Sequence, residues 1–190
     1  MKRTLFFIWI LIFFIPDLKA QLSIPGNTLI GSELERETIN DVSNGMDVDP
    51  FLLQLSVNFT GNESPEVYTG IFNEYVADLA SKRNKGLADE DFLSTLYYKT
   101  HKKFLKNYRA YSSFGEVLQE GKYDCLSATV LYTLLLEAFD FSYEVVETDY
   151  HIYLMVYNGN RRYMLESTDP INGFLTDEDV IESRIGEIEQ

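Results

Sequence analysis

The sequence has one cysteine, Cys125, one tryptophan, Trp9, and two histidines in 190 residues. A single cysteine excludes an intramolecular disulfide, so the thiol is left as an intermolecular bridge, an inert buried group or a reactive nucleophile. Internal repeats, glycine-rich phosphate loops and low-complexity runs are also missing from the sequence. Repeat scaffolds and the common nucleotide-binding loops are therefore excluded.

Basic residues are scarce, with 16 lysines and arginines against 30 aspartates and glutamates, which gives a net charge of −14. Such an excess of negative charge opposes binding to nucleic acid or to anionic lipid. It fits a well-solvated protein surface.

Residues 1–20 have the organisation of a secretory signal peptide. Lys2 and Arg3 precede an apolar run from Leu5 to Ile15, and Ala20 offers a small residue at the cleavage site. The run is well below the roughly 20 residues that span a bilayer. We expect cleavage and no stable membrane anchor afterwards, with retention as an anchor as the alternative. The protein is then exported to the periplasm or to the outside of the cell, and the short start of the signal peptide favours a bacterial protein.

The remaining chain divides into a leader and one domain. Residues 21–50 carry Pro25, Gly26, Gly31 and Gly45 with few aromatic residues, which predicts an extended, partly ordered leader with one short helix over 34–42. Residues 51–190 have the length of a single domain with a core of its own.

The pattern of apolar residues predicts an α+β fold with helices packed on a small antiparallel sheet. Helices are predicted from Pro65 to about Lys85, from Asp89 to Lys106 and from Cys125 to Ala138, with a short terminal helix from Thr176. Between the last two helices the period changes from 3.6 to 2, which predicts strands over 141–148, 151–157 and 161–166. Asn158-Gly159 is a strong hairpin signal between the second and third strands.

Three residues in this arrangement could act together as nucleophile, base and orienting acid. Cys125 opens a buried helix, where the helix dipole and unpaired amides stabilise a thiolate. His151 opens the second strand and Glu166 closes the third, so a hairpin brings them to the same end of the sheet. A histidine can take the thiol proton, and a carboxylate fixes the imidazole tautomer.

Further polar residues have candidate supporting roles. A backbone amide at the start of the cysteine helix could donate to an oxyanion, as could the side chains of Gln119 or Tyr123. Asp169, three residues after Glu166, is an alternative orienting acid. His101 has no matching acid, and we expect it on the surface of the second predicted helix.

At these positions the chain resembles the transglutaminase-like superfamily, whose fold carries a papain-like cysteine, histidine and acid. The resemblance rests on Gly121–Cys125, on Tyr150–Tyr153 and on Leu165–Thr168, and covers roughly residues 90–175. The chain is similar to small bacterial variants of this superfamily, which have Cys-Leu-Ser at the cysteine and a glutamate as third member. These variants are often joined to tetratricopeptide repeats. The superfamily more often has aspartate at the place of Glu166.

The resemblance implies that Cys125 is the nucleophile, His151 the general base and Glu166 the orienting acid. The expected activity is thiol acyl transfer, as hydrolysis of a peptide or isopeptide amide rather than cross-linking, with no metal or cofactor. The substrate would be a peptide or protein. Two alternatives stay open: a non-catalytic binding or assembly module of the cell envelope, and an intermolecular disulfide through Cys125.

Overall fold

The computed structural model of this chain describes residues 30–57, 59 and 63–188. The predicted signal peptide, residues 1–20, and the first part of the leader, 21–29, lie outside these residues. Within the described ranges, no helix combines the length and the apolar character needed to cross a membrane.

In the described chain four helices come first, helices then alternate with short strands, and four consecutive strands follow before the last helix. The helices are α1 (Glu33–Ser43), α2 (Pro50–Ser56), α3 (Pro65–Arg83), α4 (Asp89–Phe104), α5 (Phe114–Glu120), α6 (Cys125–Ala138) and α7 (Glu178–Ile188). The strands are β1 (Asn107–Tyr108), β2 (Lys122–Tyr123), β3 (Ser142–Glu147), β4 (Ile152–Asn158), β5 (Arg161–Leu165) and β6 (Phe174–Leu175). The prediction of a mixed α+β fold with a small antiparallel sheet is confirmed.

The main sheet contains β3, β4, β5 and β6 in that order, and each neighbouring pair is antiparallel. Val145 lies opposite Leu154, and Leu154 lies opposite Leu165. The predicted strands are therefore present in their predicted order, and β6 adds a fourth. A separate parallel pair, β1 and β2, precedes the cysteine helix.

The main sheet is covered on both faces. Successive side chains of a strand point to opposite sides, so each strand contributes apolar residues to both faces. One face joins the main helical core through Leu154, Val156, Tyr163 and Leu165. The other face packs against α7, where Tyr153, Met155, Met164 and Leu175 surround Ile181. Helix α7 is thereby fixed beside the strands that carry the candidate site.

The part of the leader that the structure describes contains helix α1. Its N-cap is Ser32, whose hydroxyl accepts a hydrogen bond of 3.1 Å from the Glu35 amide. Thr38 is buried, and Leu34 packs against the core. The short helix predicted over 34–42 is therefore present as Glu33–Ser43, and it packs against the domain.

His101 is buried, which corrects the expectation of a surface position. Its ring packs against the rings of Tyr97, Tyr123 and Tyr132, and neither ring nitrogen has a hydrogen-bond partner among residues 30–57, 59 and 63–188. The sequence pattern places it among lysines near the end of α4, but two of the aromatic residues that cover it, Tyr123 and Tyr132, come from β2 and α6. Burial lowers the pKa of His101 to about 4, against the opposing effect of the Asp169 carboxylate.

This buried histidine predicts a loss of stability in mild acid. An unfolded histidine titrates near 6.5, so between about pH 6.5 and 4 the unfolded chain binds the additional proton and the free energy of unfolding falls as pH falls. We expect His101 to contribute a loss of about 2 kcal/mol between pH 7 and pH 5. Urea unfolding at the two pH values should show a smaller loss in His101→Phe than in the parent. Equal losses in both proteins would contradict the prediction.

Candidate active site

Cys125 is the first residue of α6, and the chain around it is fixed by local hydrogen bonds. The Asp124 carboxylate accepts a hydrogen bond of 2.8 Å from the Ser127 amide, and the Ser127 hydroxyl accepts one of 2.9 Å from the Asp124 amide. Gly121, with φ +70°, ends α5 in the left-handed conformation that favours glycine. The chain can then turn through β2 and begin α6 at the cysteine.

His151 and Glu166 lie beside each other at one end of the main sheet. His151 directly precedes β4, and its amide donates a hydrogen bond of 3.0 Å to the Thr148 hydroxyl. Glu166 directly follows β5. The Nε2 atom of His151 is 3.2 Å from Oε1 of Glu166, close enough for an ion pair but outside the alignment of a hydrogen bond.

The Glu166 carboxylate has two further partners. The Thr168 hydroxyl donates a hydrogen bond of 3.0 Å to Oε1, and Nη1 of Arg184 donates one of 2.6 Å to Oε2. Glu166 is only 9% exposed and Arg184 is 25% exposed. Arg184 was not predicted, because its position on α7 gives no local signal of a contact with the residue that follows β5.

Asp169 has a different environment from Glu166. Its carboxylate accepts hydrogen bonds of 3.1 Å from the Ile171 amide and 2.8 Å from the Asn172 amide, and it is 3.7 Å from Arg184. Burial acts to raise the pKa of Asp169, but these amide bonds and Arg184 hold it below its usual value. Asp169 thus caps its own turn, and the carboxylate beside His151 is that of Glu166.

The loop after β5 connects this pair of residues to the start of α6. The Tyr97 hydroxyl lies 2.6 Å from the Glu166 carbonyl and 2.5 Å from the Asp169 carbonyl, and it can donate to either. The Ser167 hydroxyl donates a weak hydrogen bond of 3.5 Å to the carbonyl of Cys125. The residue next to Glu166 therefore contacts the cysteine backbone.

The thiol itself is partly exposed. Among the described residues, none forms a hydrogen bond with Sγ of Cys125, His151 included. Tyr108 lies close to the start of α6, because it pairs with Tyr123 in the β1–β2 ladder, two residues before Cys125, and their ring centroids are 5.7 Å apart. Tyr108 is a second residue whose place beside the candidate site was missed.

The two predicted side-chain oxyanion donors lie on either side of Gly121. Gln119 is exposed near the end of α5. Tyr123 is buried in β2, where its ring packs against His101 and Tyr108. Their role as oxyanion donors stays a prediction. Within the described part of the chain, no group of three or more His, Cys, Asp or Glu residues could hold a metal ion.

Comparisons with protein-family models, with curated proteins and with solved structures find no match to this chain. The resemblance to the transglutaminase-like superfamily therefore stays a prediction from the sequence.

Proposed function

We propose that this chain is an exported thiol acyl-transfer enzyme with a transglutaminase-like core, which hydrolyses a peptide or isopeptide amide through Cys125, His151 and Glu166. The observation that carries the proposal is the 3.2 Å contact between Nε2 of His151 and Oε1 of Glu166. The contact of Ser167 with the Cys125 carbonyl supports it, because it links the acid-bearing loop to the cysteine. The signal peptide supports export to the periplasm or the outside of the cell.

The reaction follows from the chemistry of these groups. The Cys125 thiolate attacks the amide carbonyl, an S–C bond forms, and His151 delivers the thiol proton to the departing amine. Water then attacks the thioester and gives a proton to His151. The S–C bond breaks, which releases the acid product and restores the Cys125 thiolate with a protonated His151. Nε2 of His151 faces Glu166, so Nδ1 is the ring nitrogen that serves the thiol. Contacts between catalytic groups are often long in an unliganded site and shorten when substrate binds.

The start of α6 offers donors for the oxyanion. The Ser127 amide donates a hydrogen bond to the Asp124 carboxylate, and the Ala128 amide donates one of 3.1 Å to the Asp124 carbonyl. The amides of Cys125 and Leu126 precede the first helical hydrogen bond, so they are free of the helix ladder. They are the first-turn groups that could stabilise negative charge on the carbonyl oxygen.

Alkylation of the single cysteine tests the proposal. We expect iodoacetamide at about pH 6 to label Cys125 at least about tenfold faster in the parent than in His151→Ala, because the imidazole withdraws the thiol proton. Glu166→Gln should slow labelling about threefold to tenfold, and Cys125→Ala should not be labelled. Rates are measured by mass spectrometry of the intact protein.

The matched control is Glu187→Gln, which removes a carboxylate from the exposed side of Arg184 and should leave the rate unchanged. If His151→Ala is labelled as fast as the parent, the catalytic assignment fails.

A binding or assembly module that keeps this fold is the second candidate. Two observations favour it. No described residue forms a hydrogen bond with the Cys125 sulfur, and Glu166 is paired with Arg184, which neutralises the acid without His151. An alkylation rate that falls about tenfold per pH unit from pH 8 to pH 6, in parent and His151→Ala alike, would favour this candidate.

A further inference from the structure

A pocket of about 160 Å³ opens beside the start of α6. It lies between this helix, the end of α2 and the start of α5, and its walls include Gln54, Val57, Ser113, Phe114, Leu126 and Val130. Leu126 directly follows Cys125 in the chain. The pocket therefore borders the first turn of α6, the turn that also carries Cys125.

The hydroxyl groups that line the pocket are already engaged within the protein. Ser113 and Glu116 form a capping box at the start of α5, and Ser127 and Asp124 form one at the start of α6. The Ser112 hydroxyl donates a hydrogen bond of 2.7 Å to a backbone carbonyl. Among the residues that the structure describes, no lysine, arginine, aspartate or glutamate lines the pocket. Its walls consequently favour an uncharged, apolar occupant.

Two apolar side chains in the walls are unusually open to solvent, since Leu126 is 60% exposed and Val57 is 52% exposed. A cavity of about 150 Å³ with apolar walls accommodates one benzene ring. The size therefore suits one phenylalanine, leucine or methionine side chain.

We propose that this pocket is the subsite for one large apolar side chain of an extended peptide substrate, next to the carbonyl that Cys125 attacks. This inference rests on the thiol acyl-transfer function proposed above and names its substrate preference. Acidic side chains are excluded twice, by the uncharged walls and by the net charge of −14. Lysine side chains would bring a charge that no wall residue pairs.

Dipeptide chloromethyl ketones test the subsite, because the thiolate displaces chloride and forms one S–C bond to Cys125. The probes are acetyl-Xaa-Gly and acetyl-Gly-Xaa chloromethyl ketones with phenylalanine, aspartate or lysine as Xaa. At one of the two positions, we expect phenylalanine to label the parent at least about tenfold faster than aspartate or lysine, the factor that about 1.4 kcal/mol gives.

Val57→Trp fills the pocket from its exposed rim and should reduce this preference to within about twofold. The matched control is Val42→Trp, on α1, because Val42 is also 52% exposed. Leu126→Ser is a second variant that removes an apolar wall side chain without adding bulk, and it should weaken the preference as well. Circular dichroism and urea unfolding establish that each variant folds.

The outcomes separate the subsite from the function. The subsite proposal fails if labelling depends on His151 but shows no preference for phenylalanine. It also fails if the preference persists in both Val57→Trp and Leu126→Ser. In either case the proposed thiol acyl-transfer function still stands. Iodoacetamide labelling that is independent of His151 overturns the enzyme, and the pocket then has no role as a substrate subsite.

Discussion

Gly173→Ala is expected to lower the free energy of unfolding by about 3 kcal/mol, the upper part of the range for inserting a methyl group into a filled space. A Cβ atom at Gly173 would overlap the Tyr97 hydroxyl and the carbonyl oxygens of Glu166 and Asp169. None of these atoms can move freely. The Tyr97 ring is fully buried, and the Glu166 amide donates a hydrogen bond of 2.8 Å to the Gly173 carbonyl.

Gly70→Ala is the matched control for this substitution. Gly70 lies within α3, and a Cβ atom there would meet nothing within 4 Å. The same change should therefore stabilise the protein by about 0.5–1 kcal/mol, because alanine is the better helix former. Both changes in the free energy of unfolding are to be measured by urea unfolding, with circular dichroism as the signal. A loss below about 1 kcal/mol for Gly173→Ala would mean that the loop after β5 adapts easily.

The position of Gly173 gives this experiment a bearing on the site. The loop between β5 and β6 carries Glu166, and Tyr97 of α4 fixes it through two carbonyl groups. If Gly173→Ala displaces the loop, the alkylation rate of Cys125 should fall together with stability. Gly70→Ala should leave that rate unchanged.

The regular elements of this fold could be predicted because their signals are local. The start of α3 is marked by Ser64 and Pro65, and β4 and β5 are joined at the predicted Asn158-Gly159. Helix α5 was missed, although Ser113 and Glu116 have the spacing of a capping box, which the structure contains. Strands β1, β2 and β6 have two residues each, too few for a periodic pattern.

The candidate site could be predicted only where the sheet topology determines proximity. Antiparallel pairing of β4 with β5 is sufficient to bring His151 close to Glu166. The burial of His101 and the contact of Arg184 with Glu166 depend on how separate helices pack, and no short-range pattern records that packing. For the same reason, the choice between Glu166 and Asp169 required the side-chain geometry.

Replacing Arg184 is expected to have the second large effect on stability. In Arg184→Met, the buried Glu166 carboxylate keeps its contacts with the Thr168 hydroxyl and with His151, but it loses its 2.6 Å hydrogen bond from the guanidinium. Removing one partner of a buried ion pair leaves an uncompensated charge, and we expect a loss of about 2–3 kcal/mol. Methionine keeps much of the apolar length of the arginine side chain, so the loss reports mainly on the charge.

A double-mutant cycle with Glu166→Gln separates the pair from the rest of α7. If the loss in Arg184→Met comes from the charge left on Glu166, most of it should vanish once residue 166 is glutamine, with a coupling of about 2 kcal/mol. Arg36→Met is the matched control, because the pair of Arg36 with Glu33 is exposed at 49% and 69% and should contribute less than about 0.5 kcal/mol. A coupling near zero would show that Arg184 supports α7 through packing alone, and that the carboxylate beside His151 does not depend on it.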